Sequence, residues 1–330
     1  MHTMNTRALI LMYHRVTRAR IDPWWMCVSP EHFAAQLQAI KQFGTPLSLA
    51  EFARGQKNGI LPERPIVVTF DDGYVDNFEV ALPLLRQYQV PATVFITTHN
   101  IDTGREFWWD RLESILLTPG DLPDKLTLDL PAGESSWALG DASSFTVGQL
   151  QRERDTAAWC ATPGTRLRFF HEVWKALWPL AHDLREMAID TVADWAGCVA
   201  DQPSDRRTMS SSEISGMAED ALVTIGAHTV HHLPLSAHSP DEQSRQIRDS
   251  QTCLQQIIGR PVTAFAYPHG EYSPATVGIL QALGFECAVT VSPQPATVAT
   301  NPMLLPRIGI RDVPGNHLLA QLNALCGRPV

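Results

Sequence analysis

The chain has 330 residues, 44% of them hydrophobic and 18% charged, with a formal net charge of −9. That length suits about two domains, and apolar residues spread along it exclude an intrinsically disordered chain. A negative chain with no basic run is a poor binder of phosphate backbones, which argues against nucleic acid as a partner.

In chain order, the start MHTMNTRALILMYHRV carries a short apolar run, Ala8–Tyr13, followed by His14 and Arg15. A secretory h-region needs about 7–15 apolar residues and a small-residue cleavage site, so Leu9–Tyr13 reads as a buried strand. Ser29-Pro30 is a cap followed by proline at the first helical position, predicting a helix to Gly44. Ser48 and Glu51 have capping-box spacing and open a short helix to Gly55. Ile66–Phe70 reads as an apolar strand, followed by a helix over 77–88 and a strand over 92–96. After residue 221 the alternation resumes: a strand over 222–227, a helix from Pro240 to Ile258 ending at Gly259, and a strand over 263–267. A helix capped by Ser273-Pro274 and ending at Gly284 leads into a strand over 285–291. Strands alternating with helices predict parallel βαβ units, in a barrel or an open sheet.

The middle of the chain breaks this rhythm and holds Trp108, Trp109, Trp137, Trp159, Trp174, Trp178 and Trp195, most of the nine tryptophans. Phe170, Val173, Trp174, Leu177, Ala181 and Leu184 recur at helical spacing, predicting an amphipathic helix bent near Pro179. The charge-free stretch Cys287–Pro306 is about as long as a membrane span, yet its four prolines predict loop and strand. The six cysteines are far apart with no CxxC, so they read as reduced thiols. These features predict a cytoplasmic protein with no transmembrane segment; membrane association through a partner stays open.

Three clusters that can do chemistry follow predicted strands. Asp71 and Asp72, in Thr69-Phe70-Asp71-Asp72-Gly73-Tyr74, stand where parallel α/β folds carry their active sites. Adjacent carboxylates there are costly unless a cation or a proton-transfer role offsets their repulsion; the plainer reading is an Asp-Asp-Gly turn. His228 and His232, in His228-Thr229-Val230-His231-His232, have a spacing that lets two imidazoles meet one metal. With twelve histidines, about 0.4 such pairs arise by chance, so a solvated cluster is the plain alternative. Two histidines and one carboxylate form a zinc set with an open position, and the second aspartate could act as base. Tyr267-Pro268-His269-Gly270 is a turn that could aim a backbone N–H at an oxyanion. His14 and Arg307 end further predicted strands.

Together these motifs resemble the polysaccharide deacetylase family, also called carbohydrate esterase family four or the NodB-homology domain. Leu11-Met12-Tyr13-His14 is similar to the N-terminal strand of its exopolysaccharide branch. The resemblance implies a distorted (β/α)7-type barrel formed by 1–98 and 209–330, interrupted by a Trp-rich, mainly helical insertion over 99–208. It implies a divalent metal, usually zinc, held by Asp72, His228 and His232, with Asp71 as general base and the His269 backbone N–H at the oxyanion. Tyr74, Tyr267 and Pro268 would meet the substrate. The family's third motif commonly carries an Arg where this chain has Ala266, and a Tyr where it has His269. We expect Arg307 to supply the missing guanidinium to Asp71. We expect His14 to be the general acid, with His269 as its rival.

The implied activity is removal of an N-acetyl or O-acetyl group from an amino-sugar glycan or its precursor. Lipid-linked or nucleotide-linked N-acetyl sugars fit a chain read as lacking a signal peptide. The alternatives are an inactive sugar-binding module of the same fold, and an assembly protein whose insertion docks on a membrane surface or a protein partner.

Overall fold

The computed structural model describes residues 7–198 and 206–327; the rest of the expected barrel and insertion lies outside them. The chain divides into two compact units, one comprising residues up to Arg18, Met26–Thr103 and those from Thr208 on, the other Ala19–Trp25 and Gly104–Arg207.

In the first unit, β1 (Leu9–Tyr13), β2 (Thr45–Leu47), β3 (Pro65–Phe70), β4 (Ala92–Ile96), β5 (Val223–Ala227), β6 (Ala264–Ala266), β7 (Cys287–Val289) and β8 (Ile308–Gly309) form one parallel sheet. Its order is β7-β6-β5-β4-β3-β1-β8, with β2 paired to the start of β3. At the outer edges Leu305 N donates to Ala288 O at 2.9 Å and Thr290 N donates to Leu305 O at 2.8 Å. The chain entering β8 therefore bridges to β7, and the sheet curls back on itself as a distorted barrel.

Every residue of β3 and β4 is buried, as expected where both faces of a parallel sheet are covered. The alternation of side chains sorts them into two cores. Leu9, Leu11 and Tyr13 pack with Phe33, Leu37 and Ile40 from the helix Pro30–Phe43. Ile10, Val67, Phe95, Ala266 and Val289 form the other cluster. Gly226 makes room there: a Cβ on it would lie 2.4 Å from the Phe95 ring.

The connecting helices follow their caps. Pro240–Ile258 runs from Ser239, whose side chain accepts from Glu242 N, to a left-handed Gly259. The helix opened by Ser48 runs past Gly55 to Asn58 and stops at Gly59, φ 68°. The segment after β3 starts as a π turn over Asn77–Ala81 and continues as a helix over Leu82–Tyr88.

The second unit has helices Trp108–Leu116, Val147–Glu153, Arg166–Leu177 and His182–Ala196, with a hairpin of Lys125–Leu130 and Gly133–Ala138. The expected single bent helix is two helices: proline has no N–H to donate, and the turn at Pro179 separates them. Residues 19–25, read from sequence as barrel, belong with this unit because the Trp24 ring sits 4.6 Å from Trp174 and 5.6 Å from Phe170. Among the described residues no helix is long and apolar enough to cross a membrane.

Candidate functional site

Register brings the motifs together. Tyr13 pairs with Phe70, and Ala227 pairs with both Ile96 and Phe265. Because the strands are parallel, His14, Asp71-Asp72, His228 and the turn after β6 all leave the sheet at the same end.

Asp72, His228 and His232 converge there, with their ligand atoms within 4.8 Å of one another. Asp72 Oδ1 lies 3.6 Å from His228 Nε2 and 3.4 Å from His232 Nε2. A tetrahedral ion bound at about 2.1 Å has donor–donor edges of roughly 3.4 Å, so this donor set fits a zinc-like ion. The tautomer fits as well. His228 Nδ1 is 2.8 Å from the Ala266 carbonyl oxygen, which can only accept, so Nδ1 carries the proton and the Nε2 lone pair faces Asp72. Burial above all lowers the His228 pKa, against the pull of Asp71 and of the Ala266 hydrogen bond, keeping the ring neutral as a ligand must be. Asp72, Thr229 and His232 have left-handed backbone, with φ of 72°, 65° and 51°.

Asp71 sits beside this trio, 3% exposed. Arg307, entirely buried, grips both its oxygens: Nη1 donates to Oδ1 and Nη2 to Oδ2, each at 2.6 Å. The same guanidinium donates to Thr69 Oγ1 and to the Thr290 carbonyl. Burial alone would raise the Asp71 pKa, but Arg307, with help from His228 and His14, holds it at about 2. Asp71 is therefore an anion at neutral pH. The guanidinium that the third motif lacks at Ala266 arrives instead from the strand entry at residue 307.

His14 leaves β1 next to Asp71. Burial dominates its environment and lowers its pKa to about 4, against the attraction of Asp71. Among the described residues no hydrogen bond reaches its ring, so the imidazole is neutral and able to exchange a proton. His269 is exposed, with φ 57°, and its ring lies 4.5 Å from that of His232.

Tyr74, Tyr267 and Pro268 do not line the site's surface. Tyr74 is fully buried beneath the Arg15 guanidinium at 4.6 Å. Tyr267 is fully buried and donates to the Met303 carbonyl, and Pro268 is buried in the same turn. These three shape the wall from behind, because a turn tight enough to aim its backbone turns its large side chains into the core. Sequence reasoning passed over Asp76 and Asn77, which follow the first motif directly, and Thr69 and Thr290, which hold Arg307.

A family model described as polysaccharide deacetylase matches residues 58–121 and 195–288. The poly-β-1,6-N-acetyl-D-glucosamine N-deacetylase of Staphylococcus aureus is 33% identical over 116 residues, covering 29% of this chain and 40% of that protein. The enzyme of the same name from Staphylococcus epidermidis is 33% identical over 109 residues, covering 28% and 37%. The chain thus spans about 40% of the length of the curated relatives it matches. Among solved structures, IcaB from Ammonifex degensii superposes with a TM-score of 0.60 at 17% identity, over 98% of this chain and 99% of that one. Streptococcus pyogenes deacetylase PplD in complex with acetate gives 0.54 at 21%, over 95% and 97%. At these identities the two structures establish the fold.

Proposed function

The chain belongs to the polysaccharide deacetylase family, and we propose that it removes N-acetyl groups from an amino-sugar glycan, of the β-1,6-linked N-acetylglucosamine kind or its precursor. The observation that carries this reading is the buried Asp72–His228–His232 trio beside an Asp71 kept anionic by a two-pronged Arg307. Asp72, His228 and His232 would hold a divalent ion, zinc by their chemistry. Bound there, such an ion lowers the pKa of water and polarises the acyl carbonyl.

The chain's own residues supply the proton handling. A carboxylate has about four lone-pair sites, so Asp71 can accept a proton from the attacking water while Arg307 occupies two of them. Arg307 fixes where the carboxylate points at the cost of some basicity. His14 prefers to be neutral, so once protonated it is a strong acid and suits delivery of a proton to the leaving amine. The His269 ring lies 4.5 Å from that of His232, so its backbone turn stands beside the trio and suits support of the oxyanion.

The test is acetate release by the purified full chain, supplied with zinc, from β-1,6-linked N-acetylglucosamine oligomers. We expect turnover, and a loss of about 10²-fold or more in kcat for Asp71→Asn. Oligomer binding without acetate release would favour the inactive sugar-binding module instead.

A further inference from the structure

We propose that Asp76, with Arg15 and Asn77, is a positioning device that holds His14 where it can protonate the leaving nitrogen; this rests on the reading of His14 as the acid.

The His14 ring has no hydrogen bond of its own among the described residues, so its placement must come from its backbone. That backbone is tied on both sides. The Tyr13 carbonyl accepts from Asp71 N at 3.0 Å. The His14 carbonyl accepts from Asn77 Nδ2 at 2.8 Å. Asp76 receives the next two residues: Val16 N donates to Oδ1 and Arg15 Nε donates to Oδ2, both at 2.9 Å. Asn77 Nδ2 also reaches Asp76 Oδ1 at 3.1 Å, joining the two into one clamp. Asp76, Arg15 and Asn77 are all nearly inaccessible, at 5%, 6% and 1% exposure.

A buried ion pair is a poor source of stability, because desolvation cancels much of its attraction. It is a good source of fixed geometry. Asp76 and Asn77 follow the motif that bears Asp71, so base and acid are set from one short segment, the base directly and the acid through the clamp. In the step served, the C–N bond breaks with its electron pair going to nitrogen. The proton that Asp71 took from the attacking water passes to the neutral His14, and the nitrogen takes it from the resulting imidazolium, which returns to neutral imidazole. The acyl group, now carrying the water's oxygen, leaves as acetic acid and ionises to acetate.

Leaving-group dependence separates positioning from mere structure. An amide nitrogen must be protonated to leave, whereas 4-nitrophenolate leaves unaided. Asp76→Asn should lower kcat for N-acetylglucosamine oligomers at least tenfold with KM within twofold, while hydrolysis of 4-nitrophenyl acetate by the same zinc-supplied protein falls less than threefold. Asn77→Ala, which leaves the Arg15–Asp76 pair intact, should give the same split and covers the case in which Asp76→Asn does not fold. His14→Ala should show that split too, and the double variant with Asp76→Asn should be no slower than His14→Ala alone. Equal losses on both substrates, or losses that multiply in the double variant, overturn the proposal. If His14→Ala hydrolyses the oligomers normally, His14 is not the acid and the clamp falls with it, while the deacetylase reading stands. If the parent releases no acetate, both fail.

Discussion

Replacing Arg307 with methionine tests whether the guanidinium fork is what keeps Asp71 an anion. Methionine fills much of the same space and offers none of the hydrogen bonds that Arg307 donates to Asp71, Thr69 and Thr290. Asp71 is 3% exposed, so the abandoned carboxylate cannot be solvated where it stands. Breaking a buried pair from one side costs about 3–5 kcal/mol. Proton uptake relieves part of that, since burial then pushes the Asp71 pKa up with only His228 and His14 opposing. With a urea m-value of about 3 kcal/mol/M, the loss is a fall of about 1 M in midpoint, followed at pH 7 by far-ultraviolet circular dichroism, because all nine tryptophans lie in the other unit. The double variant Asp71→Asn/Arg307→Met has no orphaned charge and should regain at least half of the loss. A single variant with the parental midpoint, or a double variant weaker than the single, would refute the reasoning.

Three further outcomes are expected. Dialysis against a chelator should abolish acetate release and zinc should restore it, while His228→Ala and His232→Ala should each retain less than about a tenth of the parental zinc by elemental analysis. Acidification should weaken the metal-free protein in two stages read by urea melts. The unfolded chain protonates His14 near 6.5 and the folded one only near about 4, so that contribution is intact above 6.5 and lost by 4; Asp71, ordinarily 3.8 and held at about 2, loses its share below that. His14→Gln should shrink the first stage and leave the second, the rest of the first coming from His228, whose pKa burial also lowers. Gly226→Ala should destabilise the barrel by about 1–3 kcal/mol through overpacking against Phe95, and an unchanged urea midpoint would show that the interior has slack.

The sequence carried the strand ends well because the apolar runs and the motifs coincide: Phe70 with Asp71, Ala227 with His228, Tyr13 with His14. Arg307 was also within reach, since Ala266 leaves a carboxylate without its usual partner and a Pro-flanked arginine stands late in the chain, though it enters the strand Ile308–Gly309 and does not end one. What stayed out of reach depends on side-chain direction. Nothing local says that Tyr74 and Tyr267 turn inward, or that Trp24 packs on Trp174 rather than in the barrel. Nothing near Asp76 in the sequence singles it out, because Arg15, its buried partner, lies 61 residues earlier. The apolar spacing runs on through Pro179, so spacing alone predicts one bent helix where the structure has two, because it carries no information about a missing donor.

The way two distant motifs become one site turns on a strand that supplies no site residue. Among the described residues, Asp72, Thr229, His232 and His269 adopt positive φ, each a strained conformation worth about 1–3 kcal/mol that survives only where neighbours enforce it. For Thr229 the branched Cβ makes that conformation hardest of all. For Asp72 and Thr229 the enforcement comes from the end of β4, which lies between β3 and β5. Thr97 N donates to the Asp72 carbonyl at 3.1 Å, and Thr98 N donates to the Thr229 carbonyl at 3.2 Å. His228 N donates to the Ile96 carbonyl at 3.1 Å, and Thr97 Oγ1 donates to the His228 carbonyl at 3.2 Å. The aspartate loop and the histidine loop are thus bent toward each other by the same three residues, Ile96, Thr97 and Thr98. Gly73, whose Cβ would lie 2.9 Å from Ile96, permits the approach. A Thr97→Pro substitution removes the donor to Asp72 and should spread the trio, lowering zinc content while leaving Asp71, Arg307 and His14 unaltered in sequence; full zinc binding by that variant would show that the loops hold their shape without β4.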